Sequence, residues 1–359
     1  MKFDIRVERT KTPKERPSDE TKLGFGKVFT DHMFLMDYSK EEGWHDARIV
    51  PFGPISLSPA STVLHYGTEI FEGMKAYRRE DGSVFTFRPF ENAKRMNDSA
   101  ERLCLPKIDT EAFVDILDTL INVDRDWIPH TEGTSLYIRP FTYGNDPHLG
   151  VHAVNNATFA VILSPSGAYY AEGLDPVKIA IESEDVRAVR GGTGYAKCGG
   201  NYAASLRAGE KAAEKGYTQV LWLDGVERKY IEEVGAMNVM FKISGEIVTP
   251  ALTGSVLPGI TRKSCIELLR DWGYKVTERL VSVDELFEAA KNGTLEEAWG
   301  TGTAAVVSPI GRLSYKNEEF SVSEGKIGEL TQRLYDELTA IQWGKAEDVH
   351  GWCHEVAAE

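Results

Sequence analysis

Apolar residues recur at helical spacing across residues 91–105, where Ala93, Met96, Ala100, Leu103 and Cys104 fall on one stripe, and again across 110–123. Residues 83–88 alternate apolar and polar side chains as a strand does, and 135–139 and 158–163 read the same way. In the second half, strands at 177–181, 218–223, 238–243 and 246–248 are interleaved with helices at 202–215 and 261–272. A further helix opens at Ser282-Val283-Asp284-Glu285, a capping-box spacing, and closes near Gly293. Strands and helices alternate without a repeat, which predicts a mixed α/β architecture. Periodicity lapses between Ser164 and Pro176, where turn residues cluster. That places a small N-terminal α/β domain at 1–165, a linker at 166–176 and a large C-terminal α/β domain at 177–359. From Trp343 onward the pattern is too sparse to assign an element.

A chain of 359 residues is long enough for two domains that each bury a core, and 42% hydrophobic against 27% charged residues marks it as globular rather than disordered. A formal net charge of -14 leaves no basic face to displace counterions from phosphates. Nucleic acid is therefore excluded as a general partner, and a small-molecule enzyme becomes the default. Residues 1–20 are charged and lack an apolar core, so no signal peptide is expected, and no apolar run is long enough to cross a membrane. Cys104, Cys198, Cys265 and Cys353 are scattered with no Cys-x-x-Cys pair, which predicts reduced thiols, no metal site and a cytoplasmic protein.

The candidate chemistry centres on Lys197, in the run Gly191-Gly192-Thr193-Gly194-Tyr195-Ala196-Lys197-Cys198-Gly199-Gly200-Asn201-Tyr202. Five glycines around a lone cation let the backbone approach a flat ligand, and a desolvated amine attacks carbonyls as the free base. A Schiff base to pyridoxal phosphate uses both properties. Such a site also needs a phosphate pocket and an acid for the pyridine nitrogen. The turn 253–262 runs into a helix whose first N–H groups, at Ile260 and Thr261, would point at an anion, and a second glycine-threonine turn spans 300–305. Arg95 is the strongest candidate for the positive charge, although spacing does not separate it from Arg102. Glu232 and Glu233 precede an apolar strand, where period-two geometry turns only one of them inward.

With these stand Gly194-Tyr195-Ala196-Lys197-Cys198-Gly199-Gly200-Asn201-Tyr202, Glu233-Val234-Gly235-Ala236-Met237-Asn238, Leu257-Pro258-Gly259-Ile260-Thr261-Arg262, Phe71-Glu72-Gly73-Met74-Lys75-Ala76 and Ser135-Leu136-Tyr137-Ile138-Arg139-Pro140. Together they resemble the branched-chain amino acid aminotransferases, over nearly the whole chain. The resemblance implies a two-domain fold-type IV enzyme with pyridoxal phosphate in the cleft between domains, and a homodimer. It implies transamination of L-leucine, L-isoleucine and L-valine with 2-oxoglutarate.

Residue by residue, the resemblance makes Lys197 the catalytic amine and assigns the phosphate to Arg95, Ile260, Thr261 and Thr303. It gives Glu233 the ring nitrogen, Tyr202 the phenolic oxygen and Leu257 the ring face. Around the substrate it places Tyr66, Phe71, Tyr137, Arg139 and Tyr169, with Ala304 donating its N–H to the α-carboxylate. Vertebrate members carry a redox-active Cys-x-x-Cys where this chain has Ala305 and Ser308, so thiol control of that kind is not expected.

Overall fold

The computed structural model describes residues 2–167, 174–316 and 318–358. The chain forms two compact units, one from Met1–Ala171, Ala196–Gly199 and Ile341–Glu359, the other from Glu172–Tyr195 and Gly200–Ala340. Neither unit is one continuous stretch, because the chain rejoins the first unit around Lys197 and again at its C-terminal tail.

Among the described residues the first unit carries a nine-stranded sheet. Its order runs Arg6–Val7, Gly43–Pro51, His32–Ser39, Asn156–Ser166, Ser135–Gly144, Met74–Arg78, Val84–Phe87 and Cys353–Glu355, with Glu69–Phe71 paired beside Ser135–Gly144. Neighbours are antiparallel except Arg6–Val7 along Gly43–Pro51. The two central strands outrun the predicted 135–139 and 158–163 because both of their faces are buried, which erases the alternation that marks a half-exposed strand. Helices Pro89–Leu103 and Thr110–Val123 contribute Met96, Ala100, Phe113, Ile116, Leu117 and Leu120 to a core shared with Phe34, Ile49 and Phe159. Each large side chain buried there contributes about 1.5–3 kcal/mol. The first helix starts ahead of its apolar stripe because Pro89 presets the backbone of the first turn.

The second unit carries a mixed sheet, also of nine strands among the described residues. Its order is Ile231–Val234, Gln219–Leu223, Val177–Ile181, Val306–Tyr315, Leu295–Gly302, Asn238–Ile243, Glu246–Pro250 and Val276–Arg279, with Glu318–Ser321 beside Val306–Tyr315. Val177–Ile181 is parallel to both neighbours, as is Val276–Arg279 to Glu246–Pro250. Leu221, Val239, Phe241, Leu286 and Ile310 form the core. The helix expected over 202–215 is two pieces, Gly199–Ala203 and Leu206–Glu214. At the break the Ser205 hydroxyl donates to the Tyr202 carbonyl at 2.6 Å, a local bond that competes with helix. Ser282 caps Val283–Lys291 by accepting from Glu285 N–H at 3.0 Å, as the capping-box spacing predicts. Among the described residues no helix is long and apolar enough to cross a membrane.

Candidate active site

Lys197 belongs to the first unit and is pinned through its backbone. Its N–H donates to Ser99 Oγ at 2.8 Å, its carbonyl accepts from Phe71 N–H at 2.9 Å, and Gly199 N–H donates to the Glu69 carboxylate. Ala196 and Cys198 on either side are buried, while the Lys197 side chain is only half-buried. Its Nζ lies 4.7 Å from the centroid of the Phe71 ring, and the Arg139 guanidinium carbon lies 4.7 Å from the same ring. One aromatic side chain thus lies within cation–π reach of two cations. Arg139 Nη2 donates to the Tyr137 hydroxyl at 2.9 Å, and Gly73 leaves room for that phenol, which a Cβ would strike. Arg139 Nε is buried with no hydrogen-bond partner, a donor suited to an anionic ligand group. Tyr66 is exposed, and its hydroxyl accepts from Gly150 N–H at 2.8 Å.

Helix Pro89–Leu103 presents Asn92, Arg95 and Ser99 on one edge, at positions i, i+3 and i+7. Arg95 is buried where Arg102 is half-buried, which separates the two arginines. Its Nε and Nη2 each meet one oxygen of Glu72 at 2.8 Å, and Asn92 Nδ2 donates to the same carboxylate at 2.7 Å. Glu72 is wholly buried. Burial alone would raise its carboxyl, but the charges of Arg95 and Lys197 and the Arg95 and Asn92 hydrogen bonds outweigh that and hold it below the ordinary glutamate range. A role for Glu72 was not legible in the sequence beyond its place in a motif. Only the fold shows which cation it meets.

In the second unit Glu232 and Glu233 are both buried, 5% and 2% exposed, so neither is a solvated acid at a strand start. They lie within strand Ile231–Val234, covered on both faces. Glu233 Oε1 accepts from Leu257 N–H at 2.6 Å and from Arg187 Nη2 at 3.2 Å. Glu232 accepts from the Ser255 hydroxyl, and burial pushes its carboxyl up. Asn238 Nδ2 donates to the Leu257 carbonyl at 2.9 Å, and Gly259, the N-cap of helix Ile260–Asp271, packs so close to Asn238 that no Cβ fits. The N–H groups of Ile260 and Thr261 have no acceptor within the helix, and no acid occupies its first turn. Such a helix start fits a phosphate dianion. Thr303 and Ala304 lie in the turn joining the antiparallel strands Leu295–Gly302 and Val306–Tyr315. Asn201 clasps Thr193 through two bonds, 2.7 and 2.8 Å, beside the half-buried Tyr202. Tyr169 lies outside the described residues.

Arg187, Asn238, Ser99 and Glu72 do not stand out in the sequence, since each acts through a partner distant in the chain. Among the described residues no group of three or more His, Cys, Asp or Glu is arranged to hold a metal.

The two α/β units are those of a class IV aminotransferase of fold-type IV. The class IV amino-transferase family model matches residues 69–313. The chain is 57% identical to branched-chain-amino-acid aminotransferase 2 of Bacillus subtilis, over 99% of this chain and 98% of that one. It is 55% identical to a probable branched-chain-amino-acid aminotransferase of Staphylococcus aureus, over 98% of both. Among solved structures it resembles the Escherichia coli branched-chain amino acid aminotransferase, with a TM-score of 0.75 at 27% identity, covering 91% of this chain and 99% of that one. A T.th. branched-chain amino acid aminotransferase with pyridoxamine 5'-phosphate gives 0.76 at 28% identity, covering 91% and 98%. The chain belongs to the branched-chain-amino-acid aminotransferases.

Proposed function

We propose that this chain carries out pyridoxal-phosphate-dependent transamination between L-leucine, L-isoleucine or L-valine and 2-oxoglutarate, giving the branched-chain 2-oxo acids and L-glutamate. The observation that carries the reading is the Phe71 ring with the Lys197 amine and the Arg139 guanidinium each 4.7 Å from its centroid. A pocket of this kind offers an apolar wall for a branched side chain. It also offers a cation for the second carboxylate of glutamate. Related structures hold pyridoxamine 5'-phosphate, N-(5'-phosphopyridoxyl)-L-glutamate and 4-methylvaleric acid, which supports both the cofactor and the substrate class.

When bound, the cofactor supplies an electron sink for negative charge at the substrate α-carbon. Lys197 Nζ is the amine that would hold it, and the same amine would carry the proton taken from the substrate α-carbon. Glu233 would hold a proton on the ring nitrogen, Tyr202 would meet the phenolic oxygen and Leu257 would pack on the ring. Ile260 and Thr261 would donate their N–H groups to the phosphate, with Thr303 and Arg95 as its further ligands. Phe71, Tyr66, Tyr137 and Arg139 would surround the substrate, and Ala304 N–H would orient its α-carboxylate.

Exposed Leu149 and Val151, 64% and 86% accessible, support a homodimer that covers them. Four free cysteines support a reducing, cytoplasmic setting. A half-reaction screen tests the function: the visible absorbance of bound cofactor should change on adding L-leucine, L-isoleucine or L-valine but not D-alanine. Lys197→Ala should abolish both that response and turnover, and full turnover in this variant would refute the reading.

A further inference from the structure

One guanidinium nitrogen in the second unit ties three distant segments together. Arg187 is 8% exposed, and its Nη2 donates to the Gly194 carbonyl at 2.9 Å, the Ser255 carbonyl at 2.8 Å and Glu233 Oε1 at 3.2 Å. Gly194 belongs to the run that leads to Lys197, and Ser255 to the loop that leads to Leu257 and the start of helix Ile260–Asp271. The two carbonyls converge because Gly194 has no side chain: a Cβ there would strike the Ser255 carbonyl and come within 2.6 Å of Ala188 Cβ. Glu233 is thereby held from two sides, by Arg187 and by Leu257 N–H at 2.6 Å.

The chemistry of this arrangement is directional. A buried carboxylate without a countercharge takes up a proton rather than remain an anion. Beside Arg187 it stays ionised, so a proton shared with a neighbouring base remains on that base. We infer that Arg187 is the positioning residue for Glu233, keeping its carboxylate anionic and aimed while clamping the loops at Gly194 and Ser255. This rests on the proposal that Glu233 serves the cofactor ring nitrogen. The other charges around the clamp are Glu232, bonded to the Ser255 hydroxyl, with Arg190 and Asp224 acting on Glu232.

The test compares four holoenzymes, Arg187→Met, Arg187→Lys, Glu233→Gln and Arg187→Met/Glu233→Gln, for kcat and KM with L-leucine and for the visible spectrum of bound cofactor. Arg187→Met should lower kcat roughly 100-fold with KM changed less than about threefold, and should shift the spectrum, since the loss falls on the chemical step. Arg187→Lys, which keeps the charge, should recover about tenfold of that loss. In the Glu233→Gln background the Arg187→Met change should add less than about threefold, because the two residues act as one unit. Losses that multiply across the double variant, or a wild-type kcat in Arg187→Met, would overturn the inference. If Glu233→Gln itself keeps full kcat, the ring-nitrogen reading falls and the inference with it. If Glu233→Gln is impaired while Arg187→Met is not, the inference alone falls. Should Arg187→Met not fold, the same cycle run with Arg187→Lys decides: a kcat loss that disappears in the Glu233→Gln background supports the clamp, and one that persists refutes it.

Discussion

Replacing Glu72 by glutamine keeps the shape of the side chain and removes one charge from a pair that has no solvent to fall back on. Glu72 is 0% exposed and Arg95 7%, with both carboxylate oxygens engaged at 2.8 Å. No cavity forms, so the change reports the lost charge together with one acceptor turned into a donor facing Arg95 or Asn92. Breaking a buried pair by removing one partner destabilises by about 3–5 kcal/mol, because the remaining charge stays desolvated. For a unit of roughly 150–250 residues that corresponds to a fall of roughly 6–20 °C in thermal midpoint. Melts of the cofactor-free protein, in which no phosphate meets Arg95, followed by far-ultraviolet circular dichroism, measure it. The pH dependence carries a sign. A carboxyl lowered on folding contributes stability that is complete above its unfolded value of 4.5 and is lost as pH falls through the folded value. The gap between wild type and Glu72→Gln should be full at neutral pH and close only in acid. Removing both charges, in Glu72→Gln/Arg95→Met, should recover much of the loss. A Glu72→Gln midpoint within about 2 °C of wild type would show that Arg95 is not desolvated as described.

Three further outcomes are expected. The hydrogen bond that His354 Nε2–H donates to the Asp118 carboxylate holds the imidazole above its ordinary range, so its contribution is complete below 6.5 and is lost as pH rises through the folded value. His354→Gln should remove that alkaline loss from the melting curves, an effect under about 1 kcal/mol for a partly exposed pair. Thiol alkylation mapped by mass spectrometry should label exposed Cys104 first and spare Cys265, whose buried thiol is pushed up to about 12, until the protein is denatured. Gly194→Ala should destabilise by about 1–3 kcal/mol and speed cofactor release, read from the decay of its absorbance, since the new methyl meets the Ser255 carbonyl.

The legible parts of the chain are those whose signal is local. Strands Val177–Ile181 and Asn238–Ile243 match their predicted bounds, and helix Ile260–Asp271 differs by one residue at each end. The helix predicted over 202–215 is interrupted, since Ser205 breaks it through a bond to the turn before it. Cys353–Glu355 could not be read, because a three-residue strand has no period and exists only through its pairing with Val84–Phe87.

The same division runs through the site. By itself the sequence determined that a lysine stands among glycines, that a helix starts near Thr261 with its donors open, and that ordered motifs match one enzyme family. Those properties belong to neighbouring residues and survive in any reading of the chain. Only the tertiary structure decided that Arg95 rather than Arg102 is buried against Glu72, that Glu232 and Glu233 are both buried, and that Arg187 meets Glu233. Such pairings join segments far apart in the chain, and a buried charge can be assigned only once the partner that compensates it is in place.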